Sequence, residues 1–292
     1  MVIAAQSHCR YKRNCQQFMI VFPNAKINLG LRILRKRPDG FHDLESAFLP
    51  VGLTDMLELV AASGKNPVKS HRLTVTGIPL QSTEDNLCIR ALRLLRERHL
   101  IPDVNLHLHK RIPAGAGLGG GSSDAAFTLR ALNEMFGLSL DVPELMEYAS
   151  MIGSDCPFFI INQPSLATGR GEQLEPLTLD LSGYTIILVL PGINIDTSMA
   201  YRMIMPGEEG QAVREVLRLV PEEWNGRLVN HFEVPVFEKY PEIGSLKQAL
   251  YDSGAVYASM TGSGSAVFGL FRDSPGLPPE ISRYPIYIER FS

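Results

Sequence analysis

Residues 110–124 of the chain read KRIPAGAGLGGGSSD, and this stretch decides how the rest of the sequence is interpreted. Five of the seven residues 115–121 are glycine. Glycine adopts positive φ angles and allows a ligand to approach the backbone closely. Several backbone N–H groups can then point towards one anion, and the N-terminal end of a following helix adds partial positive charge. The stretch therefore predicts a loop that binds phosphate groups.

The segments on either side of this loop have clear periodicities. Asn105–Lys110 alternates between apolar and polar residues, which predicts a half-buried strand. Ser122–Phe136 carries apolar residues at helical spacing, with Asp124 in the favourable first turn. Ser122 and Ser123 are candidates to cap this helix or to donate hydrogen bonds to phosphate. Because flexible linkers rarely end in a well-patterned helix, a phosphate loop is favoured over a linker.

Two common nucleotide-binding motifs are excluded by the same residues. The loop does not end in Gly-Lys-Ser/Thr, so it is not a Walker A motif. No acidic ribose-binding residue follows a second parallel strand in register, so the dinucleotide fingerprint is also absent. The loop must therefore belong to another class of phosphate-binding protein.

The composition of the chain excludes several broad classes of protein. Its 292 residues are 45% hydrophobic with a formal net charge of −3, so no basic field favours nucleic acid. The longest apolar stretches, such as Tyr184–Leu190, are far shorter than the roughly 20 residues of a membrane span. The four cysteines match no zinc template and are interpreted as free thiols in a reducing, cytoplasmic compartment. They are Cys9, Cys15, Cys88 and Cys156.

Strands and helices without strict βαβ alternation favour an α+β fold. Residues 1–18 lack the apolar segment of a secretory signal, and we expect ordered structure to start near Gln17. We expect two domains, 19–170 and 171–292. Further predicted strands are Met19–Phe22, Ala25–Leu34, Ala47–Val51, Met56–Val60, Arg72–Thr76, Tyr184–Leu190, Ala255–Met260 and Ala266–Phe271, and further predicted helices are Asn86–His99, Pro143–Ile152, Ala212–Leu219, Glu222–His231 and Ile243–Ser253.

Three motifs, two of them rich in glycine, resemble those of one family. Pro113–Ser123 resembles the ATP loop of the GHMP kinases, Pro23–Leu29 resembles their N-terminal motif, and Thr261–Phe268 resembles their C-terminal motif. The resemblance implies a two-domain α+β fold, with a ribosomal S5 domain 2-like N-terminal domain and a ferredoxin-like C-terminal domain. It also implies ATP as phosphate donor with Mg²⁺, for which no protein ligand is named. The residues it assigns to ATP are Lys110, Pro113, Ala114, Gly115, Ala116, Gly117, Leu118, Gly119, Gly120, Gly121, Ser122 and Ser123.

Three further motifs indicate which acceptor substrate, among those of the family, this chain phosphorylates. Pro38–Leu44, Gly153–Phe159 and Ala167–Glu172 resemble members that phosphorylate the 2-hydroxyl of a cytidine-diphosphate-linked methylerythritol. The resemblance implies that His42 reads the cytosine by hydrogen bonds. Phe41 stands where these members usually have tyrosine, and its ring keeps the capacity to stack on a base. By the same resemblance Tyr201 is a candidate for the second face of the base. Gly262 and Ser263 are candidates for a backbone nest beside the diphosphate, and a tight hairpin turn between two strands is the other interpretation of these residues.

The chemistry of alcohol phosphorylation needs a base, because a secondary hydroxyl is a poor nucleophile. Asp155 matches the catalytic aspartate of the family, and Lys26 matches its partner, which holds the aspartate and stabilises the developing charge. Asn28 lies two residues after Lys26, so both share one sheet face, and we expect it to touch substrate or orient Asp155. A helix cap or a structural carboxylate is the alternative for Asp155.

The same sequence motifs are compatible with other functions. Homoserine or mevalonate kinase shares the glycine motifs but lacks the Phe41-His42 signature, and a non-catalytic nucleotide-binding module of the same fold is a second class. His107 and His109 share a strand face, but no third metal ligand is evident. We expect a small-molecule cytidine diphosphate substrate, no nucleic acid or membrane partner, and a monomer or homodimer in the bacterial cytoplasm.

Overall fold

The computed structural model describes residues 3–4, 18–61, 72–80, 85–204, 206–207, 210–273 and 275–292. The chain divides into two compact units, and each unit is built from several segments of the sequence. The first compact unit comprises Met1–Ala25, Leu53–Ile112 and Gly119–Asn162, and the second comprises Lys26–Gly52, Pro113–Leu118 and Gln163–Ser292.

The elements alternate irregularly between strand and helix, as the α+β prediction requires. The strands are β1 (Ile3–Ala4), β2 (Phe18–Val21), β3 (Asn24–Lys36), β4 (His42–Thr54), β5 (Met56–Ala61), β6 (Leu73–Gly77), β7 (Val104–Lys110), β8 (Ser165–Thr168), β9 (Gln173–Pro176), β10 (Thr185–Val189), β11 (Tyr257–Met260), β12 (Val267–Phe271) and β13 (Ile286–Arg290). The α-helices are α1 (Leu87–Arg98), α2 (Gly120–Phe136), α3 (Val142–Ile152), α4 (Cys156–Ile161), α5 (Thr197–Met203), α6 (Val213–Val216), α7 (Glu233–Lys239), α8 (Pro241–Asp252) and α9 (Pro279–Ser282).

The first compact unit contains a five-stranded sheet in the order β1-β2-β5-β7-β6, together with helices α1 to α4. Within it β6 and β7 run parallel, whereas the other neighbours are antiparallel. The alternation predicted for β7 is confirmed, because Leu106 and Leu108 are buried while His107 and His109 are partly exposed. The Asn86 side chain accepts from the Cys88 N–H and caps α1, which fixes the start of that helix.

The second compact unit contains a four-stranded antiparallel sheet in the order β11-β12-β10-β13. Both β10 and β12 are buried along their whole length, which explains the continuous apolar runs in the sequence. A second sheet, β3-β4-β8-β9, contributes the larger parts of β3 and β4 to this unit. Apolar residues of α7 and α8 pack with the first of these sheets in one buried cluster.

The predicted helix Glu222–His231 is wrong. Only a single 3₁₀ turn forms, at Pro221–Glu223, and Gly226 then takes a positive φ of 75° that ends any helical path. The apolar spacing in this segment instead buries Trp224, whose indole N–H donates to the Leu219 carbonyl. The helix predicted over Ala212–Leu219 is shorter than expected, since only α6 is helical.

The segment 165–178, where the apolar pattern lapses, contains the short strands β8 and β9, which the sequence does not predict. The domain boundary near residue 170 remains a prediction, and the compact units differ from it in grouping Lys26–Gly52 with the C-terminal segments. Most of the extension 1–18 lies outside the described residues, although Ile3–Ala4 pairs with β2, upstream of the expected start of order.

Two of the cysteine predictions can be compared with the structure. Cys88 and Cys156 are free, buried thiols, and burial raises the pKa of Cys156 to about 12. Cys9 and Cys15 lie outside the described residues. None of the helices in the described part of the chain has the length and apolar character that crossing a membrane requires.

Candidate active site

The glycine-rich loop adopts the backbone conformation that its composition predicts. Gly115, Gly117 and Gly119 have positive φ angles of 67°, 76° and 70°. Gly119 is also the N-cap of α2, and glycine has no side chain that could accept a hydrogen bond from the first turn of that helix. The first N–H groups of α2 are thus not capped by a side chain, which is the arrangement that suits an anion.

The first half of the loop packs closely on the turn that joins β11 to β12 in the second compact unit. The Ala266 N–H donates to the Ala116 carbonyl at 3.1 Å, and the Thr261 hydroxyl donates to the Gly117 carbonyl at 3.1 Å. Gly262 packs against Gly117 so closely that a Cβ added to Gly262 would lie 3.0 Å from the Gly117 backbone. Two of the predicted glycine motifs therefore meet through their backbones.

Gly117→Ala is expected to raise the KM for ATP by about ten-fold or more, because strained αL backbone and a displaced loop together cost on the order of 1–3 kcal/mol. A Cβ on Gly117 would lie 2.0 Å from the Thr261 carbonyl oxygen, so one of the two loops must move. Gly226→Ala is the matched control, since its φ is 75° but no atom lies within 4 Å of the new Cβ. Steady-state kinetics with varied ATP check this; an equal change in both variants would show that the close approach is unimportant.

The turn Thr261–Ser265 is held by residues that the sequence interpretation did not assign. The Asn230 side chain donates to the carbonyls of Met260 and Gly262, each at 2.8 Å. Ser263 Oγ lies 3.0 Å from Thr197 Oγ1 at the start of α5. The turn is a hairpin connection, as one of the two predicted interpretations has it, while the role of Gly262 and Ser263 beside a diphosphate remains a prediction. Asn230 lies in an irregular segment, and only its burial marks it.

Lys26 and Asn28 share one face of β3, as predicted. Lys26 Nζ donates to Asn28 Oδ1 at 2.5 Å, and the ammonium also lies 4.6 Å from the centroid of the Phe48 ring. Both side chains are buried, and the Lys26 backbone N–H donates to the Leu118 carbonyl at 3.0 Å. The strand that carries the predicted catalytic lysine is thereby tied to the glycine-rich loop.

The serines after the loop differ from the capping prediction. Helix α2 begins at Gly120, so Ser122 and Ser123 lie inside its first turn and the Ser123 N–H donates to the Gly119 carbonyl at 2.9 Å. Ser123 is fully buried, and its hydroxyl has no hydrogen-bond partner within the described part of the chain. Ser122 is half-buried, and its side chain lowers the pKa of the Cys156 thiol, against the larger effect of burial.

Lys110 occupies a buried ion triad in the first compact unit. Its ammonium, 3% exposed, pairs with the Asp55 carboxylate and with Asp124 Oδ2 at 2.8 Å. Burial alone would lower the pKa of Lys110, but the two carboxylates outweigh it and raise the pKa. The contact of Lys110 with ATP remains a prediction, and in the structure its ammonium lies between the carboxylates of Asp55 and Asp124.

Asp55 links this triad to the start of the glycine-rich loop. Its Oδ1 accepts from the backbone N–H groups of Arg111 at 2.5 Å and Ile112 at 2.9 Å. Gly120 packs against Ile112 and Lys110, because a Cβ on Gly120 would lie 2.8 Å from Ile112 Cγ2 and 3.3 Å from Lys110 Nζ. The triad thus fixes both the end of β7 and the first turn of α2.

Asp155 precedes α4 at its N-cap position. Its φ and ψ of −84° and −13° are helical, and its side chain makes no capping hydrogen bond, so the helix-cap interpretation is not supported. The residues that follow, from Cys156 to Ile160, are all buried and apolar or weakly polar. Asp155 itself is half-buried.

The residues predicted to hold the cytosine form two ring contacts in the second compact unit. The rings of His42 and Tyr201 stack with centroids 5.1 Å apart and an interplanar angle of 20°. Phe41 is 52% exposed, and the Arg170 guanidinium lies 4.9 Å from its ring centroid. Burial, and to a lesser extent the charge of Lys36, lowers the pKa of His42, so its imidazole is neutral at pH 7. A neutral imidazole offers one donor and one acceptor.

His107 and His109 both lie beside Thr76, whose hydroxyl is 2.9 Å from His107 Nε2 and 3.0 Å from His109 Nδ1. Within the described ranges no group of three or more histidine, cysteine, aspartate or glutamate side chains is placed to hold a metal ion. The pair is therefore part of a polar sheet face.

Comparison with known proteins identifies the class of protein that has this fold and these glycine motifs. The model for the GHMP kinases N terminal domain matches residues 86–163, and that for the GHMP kinases C terminal domain matches residues 210–283. A solved mevalonate kinase is 12% identical to this chain, and the two superpose with a TM-score of 0.64. The superposition covers 92% of this chain and 97% of the mevalonate kinase, so the two share a fold. The fold and the glycine motifs are thus those of the GHMP kinases.

Similarity over nearly the whole chain then identifies the particular family. A 4-diphosphocytidyl-2-C-methyl-D-erythritol kinase of Parabacteroides distasonis is 49% identical over 87% of this chain and 92% of that protein. Its counterpart in Bacteroides thetaiotaomicron is 47% identical over 89% and 94%. A solved 4-(cytidine 5'-diphospho)-2C-methyl-D-erythritol kinase has a TM-score of 0.74 at 32% identity, covering 92% of this chain and 98% of its own. The chain belongs to the 4-diphosphocytidyl-2-C-methyl-D-erythritol kinase family.

Proposed function

We propose that this chain transfers the γ-phosphoryl group of ATP to the 2-hydroxyl of 4-diphosphocytidyl-2-C-methyl-D-erythritol, in the non-mevalonate route to isoprenoid precursors. The observation that carries the proposal is the backbone contact between the glycine-rich loop and the Thr261–Ser265 turn, beside the Lys26–Asn28 pair. These groups offer N–H donors and one ammonium for phosphate oxygens. The family membership supplies the identity of donor and acceptor.

The proposed ATP loop depends on glycine, because two of its residues pack too closely on neighbouring atoms to carry a side chain. A Cβ on Gly115 would lie 2.0 Å from Asn194 Oδ1, and one on Gly117 would lie 2.0 Å from the Thr261 carbonyl. The loop therefore tolerates only glycine at these positions, because other atoms of the protein occupy the space that a side chain would take. Mg²⁺ bound to the nucleotide would neutralise charge on the β- and γ-phosphates, and it needs few protein ligands because phosphate and water supply most of its coordination.

The transfer requires one proton to leave the acceptor hydroxyl. In our proposal the Asp155 carboxylate takes this proton as the oxygen bonds to the γ-phosphorus. The bond between that phosphorus and the bridging oxygen breaks, and ADP leaves with the electron pair. The Lys26 ammonium stabilises charge on the oxygens of the transferring group. Asn28 orients the ammonium through their 2.5 Å hydrogen bond.

Recognition of the cytidine moiety rests on the ring residues. Phe41 is exposed, so its face is accessible to a base, and Arg170 lies over the same ring. The neutral His42 imidazole matches the mixed donors and acceptors of cytosine, whereas a protonated imidazole offers donors only. Tyr201 lies against His42, which suits a second aromatic wall.

His42→Ala is expected to raise the KM for the cytidine substrate by about 10- to 100-fold while changing kcat little, because the lost hydrogen bonds are worth about 1–3 kcal/mol in ground and transition state alike. Kinetics with varied acceptor at saturating ATP measure this. The KM for ATP is the internal control and should not change. An unchanged acceptor KM would remove His42 from the cytidine site.

The function itself is tested by a panel of acceptors. ATP consumption is measured with 4-diphosphocytidyl-2-C-methyl-D-erythritol, homoserine and mevalonate, each with and without Mg²⁺. We expect turnover only with the first acceptor and only with the metal. Turnover of homoserine or mevalonate would reassign the acceptor, and ATP binding without any turnover would favour a non-catalytic nucleotide-binding module.

A further inference from the structure

A buried hydrogen-bond chain continues from the Lys26–Asn28 pair to a residue that has no assigned role. Asn28 Nδ2 donates to Ser46 Oγ at 2.8 Å, and Ser46 Oγ donates to the Gly30 carbonyl at 2.6 Å. Ser46 lies on β4, next to β3, and is 0% exposed. It therefore cannot touch a substrate, and any effect it has must pass through Asn28.

The donor and acceptor inventory of these groups fixes the orientation of the Asn28 amide. A serine hydroxyl has one proton, and the Gly30 carbonyl can only accept, so that proton is used at Gly30. The Ser46 oxygen then has only lone pairs to offer to Asn28. Asn28 must present its NH₂ group to Ser46, which directs its carbonyl oxygen to Lys26 Nζ.

The opposite amide orientation would place an NH₂ group against the Lys26 ammonium, with no acceptor between them. It would also leave two acceptor oxygens facing each other at Ser46. Asn28 is 2% exposed and Lys26 is 3% exposed, so water cannot easily replace the lost partners. The Asn28 backbone is also held, because its N–H donates to Thr261 Oγ1 at 3.0 Å.

We propose that Ser46 is a positioning residue: its single hydroxyl proton, committed to Gly30, sets the Asn28 amide so that its oxygen holds the Lys26 ammonium. The kinetic part of this inference rests on the proposed phosphoryl transfer, in which that ammonium stabilises the transferring group. The structural part concerns the amide alone and does not depend on which acceptor is phosphorylated.

Ser46→Ala is expected to lower kcat about ten-fold, the loss of one buried hydrogen bond, with the KM for ATP unchanged. Ser46→Thr keeps the hydroxyl and is expected to restore most of kcat even where the added methyl group lowers the melting temperature. Ser165→Ala is the matched control, because Ser165 is equally buried on the adjacent strand β8 but donates to the Gln163 carbonyl at 2.9 Å. It should lower stability without changing kcat. Equal kcat in Ser46→Ala and wild type overturns the kinetic part.

A measurement that needs no turnover separates this inference from the proposed function. In selectively labelled protein, the Asn28 side-chain NH₂ protons should exchange slowly with solvent in wild type and Ser46→Thr, and at least about ten-fold faster in Ser46→Ala. The Ser165→Ala protein should match wild type. Identical exchange in all four proteins overturns the role of Ser46 whatever the chain phosphorylates, whereas the acceptor panel alone decides the function.

Discussion

The Asp155→Asn variant is expected to bind ATP normally and to lose about 10²- to 10⁴-fold in turnover, the contribution of a positioned general base. An amide has nearly the shape of a carboxylate but cannot accept the acceptor proton at neutral pH. Asp155 makes no capping hydrogen bond to α4, so the same change removes no helix cap. Single-turnover kinetics with saturating ATP and acceptor isolate the chemical step.

Asp141→Asn provides the matched comparison for this prediction. Asp141 is also the residue before a helix of the first compact unit, but its side chain accepts from the Glu144 N–H at 2.9 Å in a complete capping box. Asparagine caps helices about as well as aspartate, so this variant should fold and turn over like wild type. If Asp155→Asn also kept wild-type turnover, another group would have to act as the base.

The sequence predicts those parts of the site that depend on local backbone chemistry. The strand β7, the glycine-rich loop and α2 follow from alternation, positive-φ glycines and helical spacing, each within a few residues. The shared face of Lys26 and Asn28 follows from the two-residue repeat of a strand. These features depend on neighbours in the chain, so one sequence is enough to find them.

The parts that depend on distant segments are not predictable in this way. Asp55 and Lys110 are 55 residues apart in the sequence, and no periodicity connects them. Ser46 lies 18 residues from Asn28, on the next strand, where the register that pairs β3 with β4 is needed to bring them together. A single sequence also misleads at Glu222–His231, because helical spacing of apolar residues is satisfied by burying Trp224 after a 3₁₀ turn.

The Lys110→Met variant is expected to lose about 3–5 kcal/mol of stability at pH 8, because it leaves two buried carboxylates without their cation. Methionine matches the length and apolar stem of lysine, so the packing around Ile112 and Gly120 is largely kept. Urea unfolding followed by circular dichroism measures the difference from wild type. Asp124→Asn is the control, since it retains the pair of Lys110 with Asp55 and removes a carboxylate whose Oδ1 has no partner within the described ranges.

The dependence of this loss on pH follows from the titration of Asp124. Burial raises the pKa of its carboxyl from 3.8 to about 7, against the opposing attraction of Lys110. The folded state therefore holds the proton more tightly than the unfolded state, so ionisation of Asp124 lowers stability as the pH rises from about 4 to about 7. In Lys110→Met, which lacks the ammonium, ionised Asp124 destabilises the folded state more at pH 8 than it does in wild type. At pH 5.5 the Asp124 carboxyl is protonated in both the variant and wild type. The difference in the free energy of unfolding between Lys110→Met and wild type should thus become smaller at lower pH. The stability of Asp124→Asn relative to wild type should increase as the pH rises. A gap that stays constant between pH 5.5 and pH 8 would mean that the charge of Lys110 does not stabilise the fold through Asp124.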